Sequence, residues 1–353
     1  MRFGVWTPLP HTIQPEPAME AAIRESGEAG LFEGHDKAFR FAVEVIQRAE
    51  ALGYETTLIA ERWLGTDHPA WILASALAAV TRKIELMVAV HPGLLQPQAV
   101  AKFAASLDRI SGGRAAINIV NGWWKEEFET FGAGPYIADE SARYRRMEEY
   151  LAVLRGLWGA EPFDFRGEFY SADKASLPLK CVQRHGPPLY AGSRNEEGRG
   201  VVARQCDCWF IDTLTDFRLW ERNVERARRL ICEMNSSAAR LGRKLSYGMS
   251  CHVICAPTRD EAEARAIALE EHGKTSRVAF VAAKALGPGL VGEPAEIARR
   301  IALYEEAGVG TLMIHCHPMM EGLDLFAREV MPLVRARRAC DDASPANGAN
   351  HDR

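Results

Sequence analysis

The sequence predicts an α/β protein, and within that class a (β/α)8 TIM barrel with insertions. Eight short apolar segments alternate with helical segments along 353 residues, a length that such a barrel fits. Residues 115–120 are an almost unbroken apolar run, as expected for a parallel strand covered on both faces. Polar and aromatic residues follow the predicted strands, at the end where ligands bind in such folds. An open, doubly wound sheet is the remaining alternative.

The strands are predicted from apolar runs that lie between turn residues. They cover residues 2–7, 56–60, 84–90, 115–120, 188–192, 209–211, 247–255 and 311–315. A loop follows the first strand to about residue 34. Residues 163–170 predict a small hairpin inserted outside the main repeat.

Helices are predicted between the strands from apolar spacing and from end signals. They cover residues 37–52, 69–80, 97–110, 140–158, a segment from about 195, 217–241, 259–286 and 294–307. Gly53 and Gly112 end two of them. The helix from residue 97 has its apolar residues at Val100, Phe103, Leu107 and Ile110. The last helix ends near Arg338, so we expect one domain over residues 1–338 and a disordered tail over 339–353.

Composition excludes several classes of protein. The formal charge of −4 gives no electrostatic reason to expect nucleic acid or an anionic membrane as a partner. The sequence has no apolar run of about 20 residues and no N-terminal signal pattern, so we expect a cytoplasmic protein. The eight cysteines are scattered without a CxxC pair, which argues against a disulfide framework or a structural metal.

Two segments predict polar groups at the barrel mouth. Asn118 is the one polar residue inside its strand, so its amide bonds either to the core or to a ligand. Gly192, Ser193 and Arg194 lie where a strand passes into a helix, a geometry that binds phosphate. An N-cap serine beside a surface arginine is an equally good reading of that segment. Residues 143–146, RYRR, could supply a second arm to the phosphate, although such a run is more often a solvated face.

Five histidines fall within or just after predicted strands, where a barrel would bring them to one mouth. They are His11, His91, His252, His315 and His317. Ser250 and His252 share the inward face of their strand by two-residue alternation. An inward histidine with an ordinary pKa near 6.5 transfers protons near neutral pH, and a hydrogen-bonded core residue is the alternative. Zinc is not expected, because no HxH or HxxxH pair accompanies a carboxylate helix.

The segment GPGLVG at residues 287–292 matches the GxGxxG pattern of dinucleotide sites. It follows a helix rather than a strand, and a proline occupies a variable position. We therefore interpret it as a flexible approach to the next helix.

Several longer runs together resemble the bacterial-luciferase-like superfamily of flavin-dependent monooxygenases. They are LDRISGGRAAINIVNGW, ESARYRRMEEYLAVLRGLW, DFRGEFY, PPLYAGS and LVGEPAEIARRIALYEEAGVGTLMI. The resemblance covers nearly all of residues 1–338 in the right order and is nearest to the alkanesulfonate, dimethylsulfone and pyrimidine monooxygenases. It implies a luciferase-like TIM barrel that binds reduced FMN as a cosubstrate at its C-terminal mouth.

The resemblance also implies roles for individual residues. Asn118 would contact the isoalloxazine ring, Ser193 after Gly192 would hold the phosphate, and Glu61 with Arg62 would lie beside the ring. The other implied flavin contacts are Glu127, Arg143 and Tyr144. His252 stands where the alkanesulfonate enzymes have an active-site histidine, with His11 and His317 nearby to manage protons. Trp6, Trp63 and Trp123 would form an apolar wall.

This chain departs from the alkanesulfonate pattern at several places. Ser250 replaces an arginine that helps to bind the sulfonate, His317 replaces a tyrosine, and a cysteine expected after the second strand is absent. The segment before Leu290, a long arginine-bearing lid in relatives, is short. A neutral sulfone, an amide or a heterocycle therefore becomes a better candidate substrate than a free sulfonate.

We therefore expect a two-component monooxygenase. A separate NAD(P)H-dependent flavin reductase would supply reduced FMN, O2 would react with it, and the resulting flavin peroxide would transfer one oxygen atom to a small organic substrate. The resemblance implies a homodimer or a homotetramer. The alternatives are a deazaflavin-dependent, hydride-transferring enzyme on the same barrel and a non-catalytic flavin-binding protein.

Overall fold

The computed structural model describes residues 1–10, 31–32, 35–122, 124–159, 162–274 and 283–343. His11 and Trp123, both predicted at the mouth, lie outside these ranges. So do residues 275–282 of the predicted 259–286 helix and most of the predicted tail.

Eight parallel strands form the central barrel. They are β1 (Arg2–Trp6), β2 (Thr56–Ile59), β3 (Glu85–Val90), β4 (Ala115–Ile119), β5 (Leu189–Gly192), β6 (Cys208–Phe210), β7 (Ser246–Cys255) and β8 (Thr311–Cys316). Each strand pairs with the next in chain order, and β8 returns to pair with β1 through the Phe3–Leu312 register. The sheet is therefore closed, which confirms the predicted (β/α)8 barrel and rules out the open sheet.

Helices surround the barrel. They are α1 (Lys37–Leu52), α2 (Ala70–Val80), α3 (Pro97–Ser111), α4 (Lys125–Phe131), α5 (Glu140–Trp158), α6 (Glu196–Gln205), α7 (Trp220–Arg240), α8 (Arg259–Gly273), α9 (Pro294–Glu306), α10 (Met319–Leu325) and α11 (Met331–Ala343). A 3-10 turn, Phe217–Leu219, precedes α7, and a π-helical turn, Phe326–Val330, joins α10 to α11.

Helix ends follow local chemistry. The Asp36 carboxylate caps α1 by accepting from the Phe39 N–H, and Gly53 ends that helix with a left-handed φ of 87°. On α3, the residues that are buried differ from those that the apolar spacing predicts. Val100 and Leu107 are buried with the small residues between them, whereas Phe103 and Ile110 are largely exposed because they lie beyond the edge of the helix-on-barrel contact.

Several features outside the barrel strands differ from the predictions, among them the helix α4, which was not predicted. The inserted hairpin consists of Phe163–Arg166 and Ser171–Ala175, so it extends five residues beyond the predicted end. A two-residue strand, Val291–Gly292, was not predicted and pairs with the end of β7. The last helix continues to Ala343 instead of ending near Arg338. A further short antiparallel pair joins Leu31–Phe32 to His35–Asp36.

Gly287, in the GPGLVG segment, allows close packing of two backbone segments. A Cβ atom on Gly287 would lie 1.7 Å from the Leu214 carbonyl oxygen, so no larger residue fits that approach. The Asn223 side chain donates to the Gly287 carbonyl and fixes the turn. The segment thus joins the loop after β6 to the short strand beside β7.

Strand alternation divides the apolar residues into two layers. Outward residues of the strands, such as Val5, Leu86 and Ile117, pack against the helices. The inward set is smaller and includes Leu58, Met87, Ala116, Tyr190 and Met313. At the N-terminal end of the barrel the Tyr190 hydroxyl accepts from Arg2 and donates to Glu85, which fills the floor with a bonded polar group. The space that remains inside lies toward the C-terminal mouth.

Within the described residues, every helix is too short or too polar to span a bilayer.

Candidate active site

A cavity of about 200 Å³ opens inside the C-terminal mouth of the barrel. Inward residues of most strands line it, together with the start of the loop after β4: Trp6, Leu58, Asn118, Ile119, Val120, Asn121, Gly192, Phe210, Ser250 and Met313. The lining is mainly apolar, with a few polar groups at defined points, as is usual for small-molecule sites. Two-residue alternation explains the set, because residues at the same height on neighbouring parallel strands point inward together.

Asn118 provides the clearest unpartnered polar atom in this cavity. It lies in register with Ala89 on β3 and Tyr190 on β5, and it is 8% exposed. Its Oδ1 is buried and has no hydrogen-bond partner in the part of the chain that the structure describes. The Asn121 Oδ1 is in the same condition. Because an unmade hydrogen bond costs about 1–3 kcal/mol, these amides favour a ligand with donor groups in the cavity.

Ser193 and Tyr144 meet at the N-terminus of α6. Their hydroxyl oxygens lie 3.1 Å apart, and Asn195 caps the helix by accepting from the Gly198 N–H. A Cβ atom on Gly198 would lie 2.2 Å from the Ser193 Oγ, so the helix approaches both hydroxyls closely. Two hydroxyls beside the free N–H groups of a helix start form a site that suits a phosphate.

Among the described residues, no contact joins Arg143 to this hydroxyl pair. Its Nη1 donates to the Ile137 and Ala138 carbonyls at 3.0 and 2.8 Å, and its guanidinium stacks on Tyr136. Arg143 therefore braces the loop that precedes α5. The RYRR segment as a whole is not a solvated face, because Tyr144 and Arg146 are buried and only Arg145 is exposed.

Glu127 holds the loop after β2. It is fully buried, its Oε1 accepts from the Trp63 N–H at 2.9 Å, and its Oε2 lies 3.6 Å from Arg62 and 3.9 Å from the His91 ring. Arg62 also covers the Trp124 ring. Glu127 and Arg62 thus act as an anchor for the loop that carries Glu61.

Glu61 is the most perturbed carboxyl group at the mouth. It is 3% exposed, and its Oε1 has no hydrogen-bond partner among the described residues. Burial, opposed by a hydrogen-bonding effect of the Trp63 side chain and assisted by the negative charge of Glu127, raises the pKa of Glu61 to about 8. The group is therefore largely protonated at neutral pH, where it donates a hydrogen bond instead of carrying a charge.

The inward histidines form a stack behind the cavity wall. The His315 ring stacks on Trp6 with centroids 4.6 Å apart, and the His252 ring lies parallel to His315 at 6.2 Å. Trp6 in turn donates to the Ser250 hydroxyl at 2.9 Å. His252 is therefore joined to the cavity through His315 and Trp6.

Both of these histidines are neutral at physiological pH. Burial, with a smaller effect of His317, lowers the pKa of His252 to about 3, and burial with His252 lowers the pKa of His315 well below its ordinary value. Neither ring nitrogen of His252 has a partner in the described residues. A neutral imidazole offers one donor and one acceptor, which suits an uncharged polar ligand or a proton relay.

The structure brings most of the sequence-predicted residues to one mouth. Asn118 and Gly192 line the cavity, Ser193 and Tyr144 follow at α6, and Glu61 lies on the loop after β2. His252 lies behind the wall, and His317, which acts electrostatically on His252, lines a separate pocket with Val253, Cys255 and Glu321. Sequence reasoning missed Phe210, Leu58 and Met313 as lining residues, although strand alternation carries that signal. It also gave no sign that Arg146 would be buried.

The fold and this mouth together define a (β/α)8-barrel protein with a candidate ligand site at the C-terminal ends of its strands. The chain belongs to the luciferase-like monooxygenase family, whose model matches residues 1–311.

Relatives and solved structures agree with that family. The chain is 30% identical over 329 residues to an FMNH2-dependent dimethylsulfone monooxygenase of Pseudomonas fluorescens strain Pf0-1, covering 84% of this chain and 87% of that protein. It is 29% identical over 325 residues to the protein of the same name from Pseudomonas putida, covering 83% and 87%. The crystal structure of DmoA from Hyphomicrobium sulfonivorans superposes with a TM-score of 0.71 at 18% identity, covering 96% and 88%. The last comparison shows a shared fold.

Proposed function

We propose that this protein is a monooxygenase that uses reduced FMN and O2 to oxidise a small, neutral organic substrate. The observation that carries the proposal is the arrangement, on one mouth, of the Tyr144–Ser193 hydroxyl pair and the Asn118 Oδ1, which has no partner among the described residues. Family membership and the names of the similar Pseudomonas proteins support the same cofactor.

The residues present fit FMN. Ser193, Tyr144 and the N–H groups at the start of α6 would hold the phosphate, and Asn118 would bond to the polar edge of the ring. When bound, reduced FMN supplies two electrons to O2, so that one oxygen atom enters the substrate and the other leaves as water.

The protein's own contribution is to bind, to exclude water and to handle protons. Trp6, Phe210 and Met313 give the cavity an apolar wall that keeps bulk water away from the reacting atoms. Neutral His252 would act as a proton relay behind the cavity wall, taking a proton at one ring nitrogen as it releases the proton of the other, and protonated Glu61 would donate a hydrogen bond beside the ring.

The electrostatics of the wall favour an uncharged substrate. Its described residues include no lysine or arginine, and the Ser250 hydroxyl already accepts a hydrogen bond from Trp6. The two buried histidines are neutral. A free sulfonate would therefore lose its hydration without a matching cation, which is costly. A sulfone, an amide or a nitrogen heterocycle carries no net charge and therefore enters the cavity without that cost.

Reduced FMN would come from a separate NAD(P)H-dependent flavin reductase. The GPGLVG segment, which is described, packs against the loop after β6 and does not open a helix after a strand as a dinucleotide site requires. We also propose a homodimer or a homotetramer. Exposed Ile72, Phe103 and Ile110 on α2 and α3 provide apolar surface for it, and light scattering of the purified protein tests the assembly.

Cofactor titration separates this function from its alternatives. We expect reduced FMN to bind more tightly than oxidised FMN or a deazaflavin, and we expect substrate oxidation when a reductase supplies reduced FMN in air. Preferential binding of the deazaflavin would instead indicate a hydride-transferring enzyme. Oxygen consumption without any oxidised product across sulfones, sulfonates, amides and heterocycles would indicate a flavin carrier.

A further inference from the structure

Arg146 is a buried guanidinium that has neither a hydrogen bond nor an ion pair within the described residues. It lies on α5, is 5% exposed, and its Nε and Nη2 are buried without acceptors. The guanidinium carbon of Arg146 lies 5.2 Å from the centroid of the Phe128 ring. This cation–π contact uses the face of the guanidinium and does not use its N–H groups. Since a buried charge without a partner costs several kcal/mol, the Nε–Nη2 edge calls for an occupant.

The free edge has a defined geometry. Nε and Nη2 form the side-on fork that takes both oxygens of a carboxylate. The same fork is used at the surface of this chain by Arg48 on Asp324, at 2.7 and 3.0 Å, and by Arg204 on Glu148, at 2.6 and 2.9 Å. Arg145, the neighbour of Arg146, binds Glu168 in the same way.

The surroundings of Arg146 add donors and positive charge. The buried Tyr170 and Tyr150 hydroxyls also lack partners among the described residues, and their rings meet edge to face at 5.5 Å. Burial raises the pKa of Tyr170 to about 12, and the charge of Arg146 acts in the opposite direction on that phenol. Tyr170 is therefore within electrostatic range of Arg146, and its hydroxyl is a donor at neutral pH. Arg143, one turn earlier on α5, supplies a second positive charge.

Glycine fixes the guanidinium in this position. Gly93, with a φ of 98°, lies directly over it, and a Cβ atom there would come 2.5 Å from the Arg146 Nη1. The backbone after β3 therefore lies against the Nη1 side of the guanidinium. The Nε and Nη2 atoms lie on the opposite side, away from Gly93.

We propose that the Nε–Nη2 edge of Arg146 binds a small carboxylate-type oxyanion, with the Tyr170 hydroxyl as an additional donor, in a buried site between α5 and the loop after β3. Two coplanar oxygens match the fork, and one negative charge compensates the guanidinium. The site is separate from the hydroxyl pair at α6, since Tyr144 faces Ser193 and Gly198 instead. The proposal does not depend on the chemistry of the cavity.

Formate titration of the full-length protein tests the site. Thermal unfolding is measured in sodium formate against sodium chloride at equal ionic strength, and formate affinity is measured by calorimetry. Wild type and the control Arg145→Met are expected to show a saturating rise in the unfolding midpoint. Arg146→Met should show none, and Arg146→Lys, which keeps the charge and loses the fork, should bind about 10-fold more weakly.

Two further measurements make the outcome decisive. Tyr170→Phe, which removes one hydroxyl, should weaken formate binding several-fold even if Arg146→Met does not fold. FMN affinity should be unchanged in Arg146→Lys. The proposal is overturned by equal formate effects in wild type and Arg146→Met, by no saturable effect in wild type, or by no change in Tyr170→Phe. A selective loss of FMN relative to riboflavin in Arg146→Lys would also overturn it, because the edge would then hold the cofactor phosphate.

Discussion

Individual side chains at the mouth are held in protonation states that differ from those in water. Burial lowers the pKa of His252, so its ring is neutral at physiological pH. Burial raises the pKa of Glu61 to about 8, so its carboxyl group is largely protonated at neutral pH. Both shifts arise because a charge in this apolar setting loses its hydration. The mouth therefore presents hydrogen-bonding groups without net charge, which suits an uncharged substrate.

Replacing His252 by Ala should slow product formation by about 100-fold or more while leaving FMN affinity nearly intact, because a proton-transfer group is lost without a cofactor contact. Single-turnover product analysis and a separate FMN titration measure the two effects. Loss of flavin binding with unchanged turnover would contradict the assigned role.

Glu61→Gln should change how stability depends on pH. The folded state keeps the Glu61 proton up to about pH 8, whereas the unfolded chain releases it near 4.5, so the native state binds more protons between these values and wild type loses stability as pH rises through this window. We expect the free energy of unfolding of wild type to fall by about 3 kcal/mol more than that of Glu61→Gln between pH 5 and pH 7.5.

Chemical denaturation at a series of pH values gives this difference. Exposed Glu129→Gln is the control and should follow wild type. Parallel curves for wild type and Glu61→Gln would show that the carboxyl group is already ionised in the folded protein.

At the scale of elements, the junction of β5 with α6 joins the barrel to the proposed phosphate site. Ser193→Ala and Tyr144→Phe each remove one hydroxyl from the pair and should weaken FMN binding by about 10-fold, since a hydrogen bond to a charged group is worth about 1.5–3 kcal/mol. Riboflavin, which lacks the phosphate, should bind both variants as it binds wild type. Equal losses for the two flavins would place the phosphate elsewhere.

Two glycines on α6 offer a matched pair. In Gly198→Ala the new methyl group would meet Ser193 and Tyr144 and should push the hydroxyls apart, which lowers FMN affinity. In Gly200→Ala the nearest atom is the end of the Arg204 side chain at 3.2 Å, so the helix should gain up to about 1 kcal/mol of stability with unchanged FMN affinity. Equal behaviour of the two variants in flavin titrations would argue against a close approach at Gly198.

The sequence predicted these elements well where apolar periodicity sets them. All eight barrel strands were found within about two residues, because buried parallel strands are continuous apolar runs. The pairing of Val291–Gly292 was missed because two residues carry no periodicity. The last helix was predicted to end too early because its final residues, 339–343, are small or acidic and do not continue the apolar pattern.

Side-chain direction was harder to predict than element position. Asn118 could be identified because it interrupts an apolar strand. The bracing role of Arg143 could not, since its acceptors at residues 137 and 138 are backbone carbonyls without a sequence signature. The burial of Arg146 depends on the approach of Gly93, which lies 53 positions earlier in the chain.

At the scale of the whole molecule, barrel closure brings together residues that are far apart in sequence. Trp6 from β1 and Ser250 from β7 bond to each other over β8, the strand between them, which supplies His315 to the stack. A closed sheet has no exposed edge, so the mouth is held by hydrogen bonding around its whole circumference. This rigidity suits a reaction that requires a dry, pre-formed cavity.

Oxidation under 18O2 is the most direct measurement of the proposed reaction. Purified protein, reduced FMN supplied by a reductase and a panel of neutral sulfones, amides and nitrogen heterocycles are incubated under labelled oxygen, and products are analysed by mass spectrometry. We predict that one product gains a single 18O atom and that free sulfonates are poor substrates. Hydrogen peroxide as the sole oxygen product, with every candidate substrate unlabelled, would contradict the proposed function.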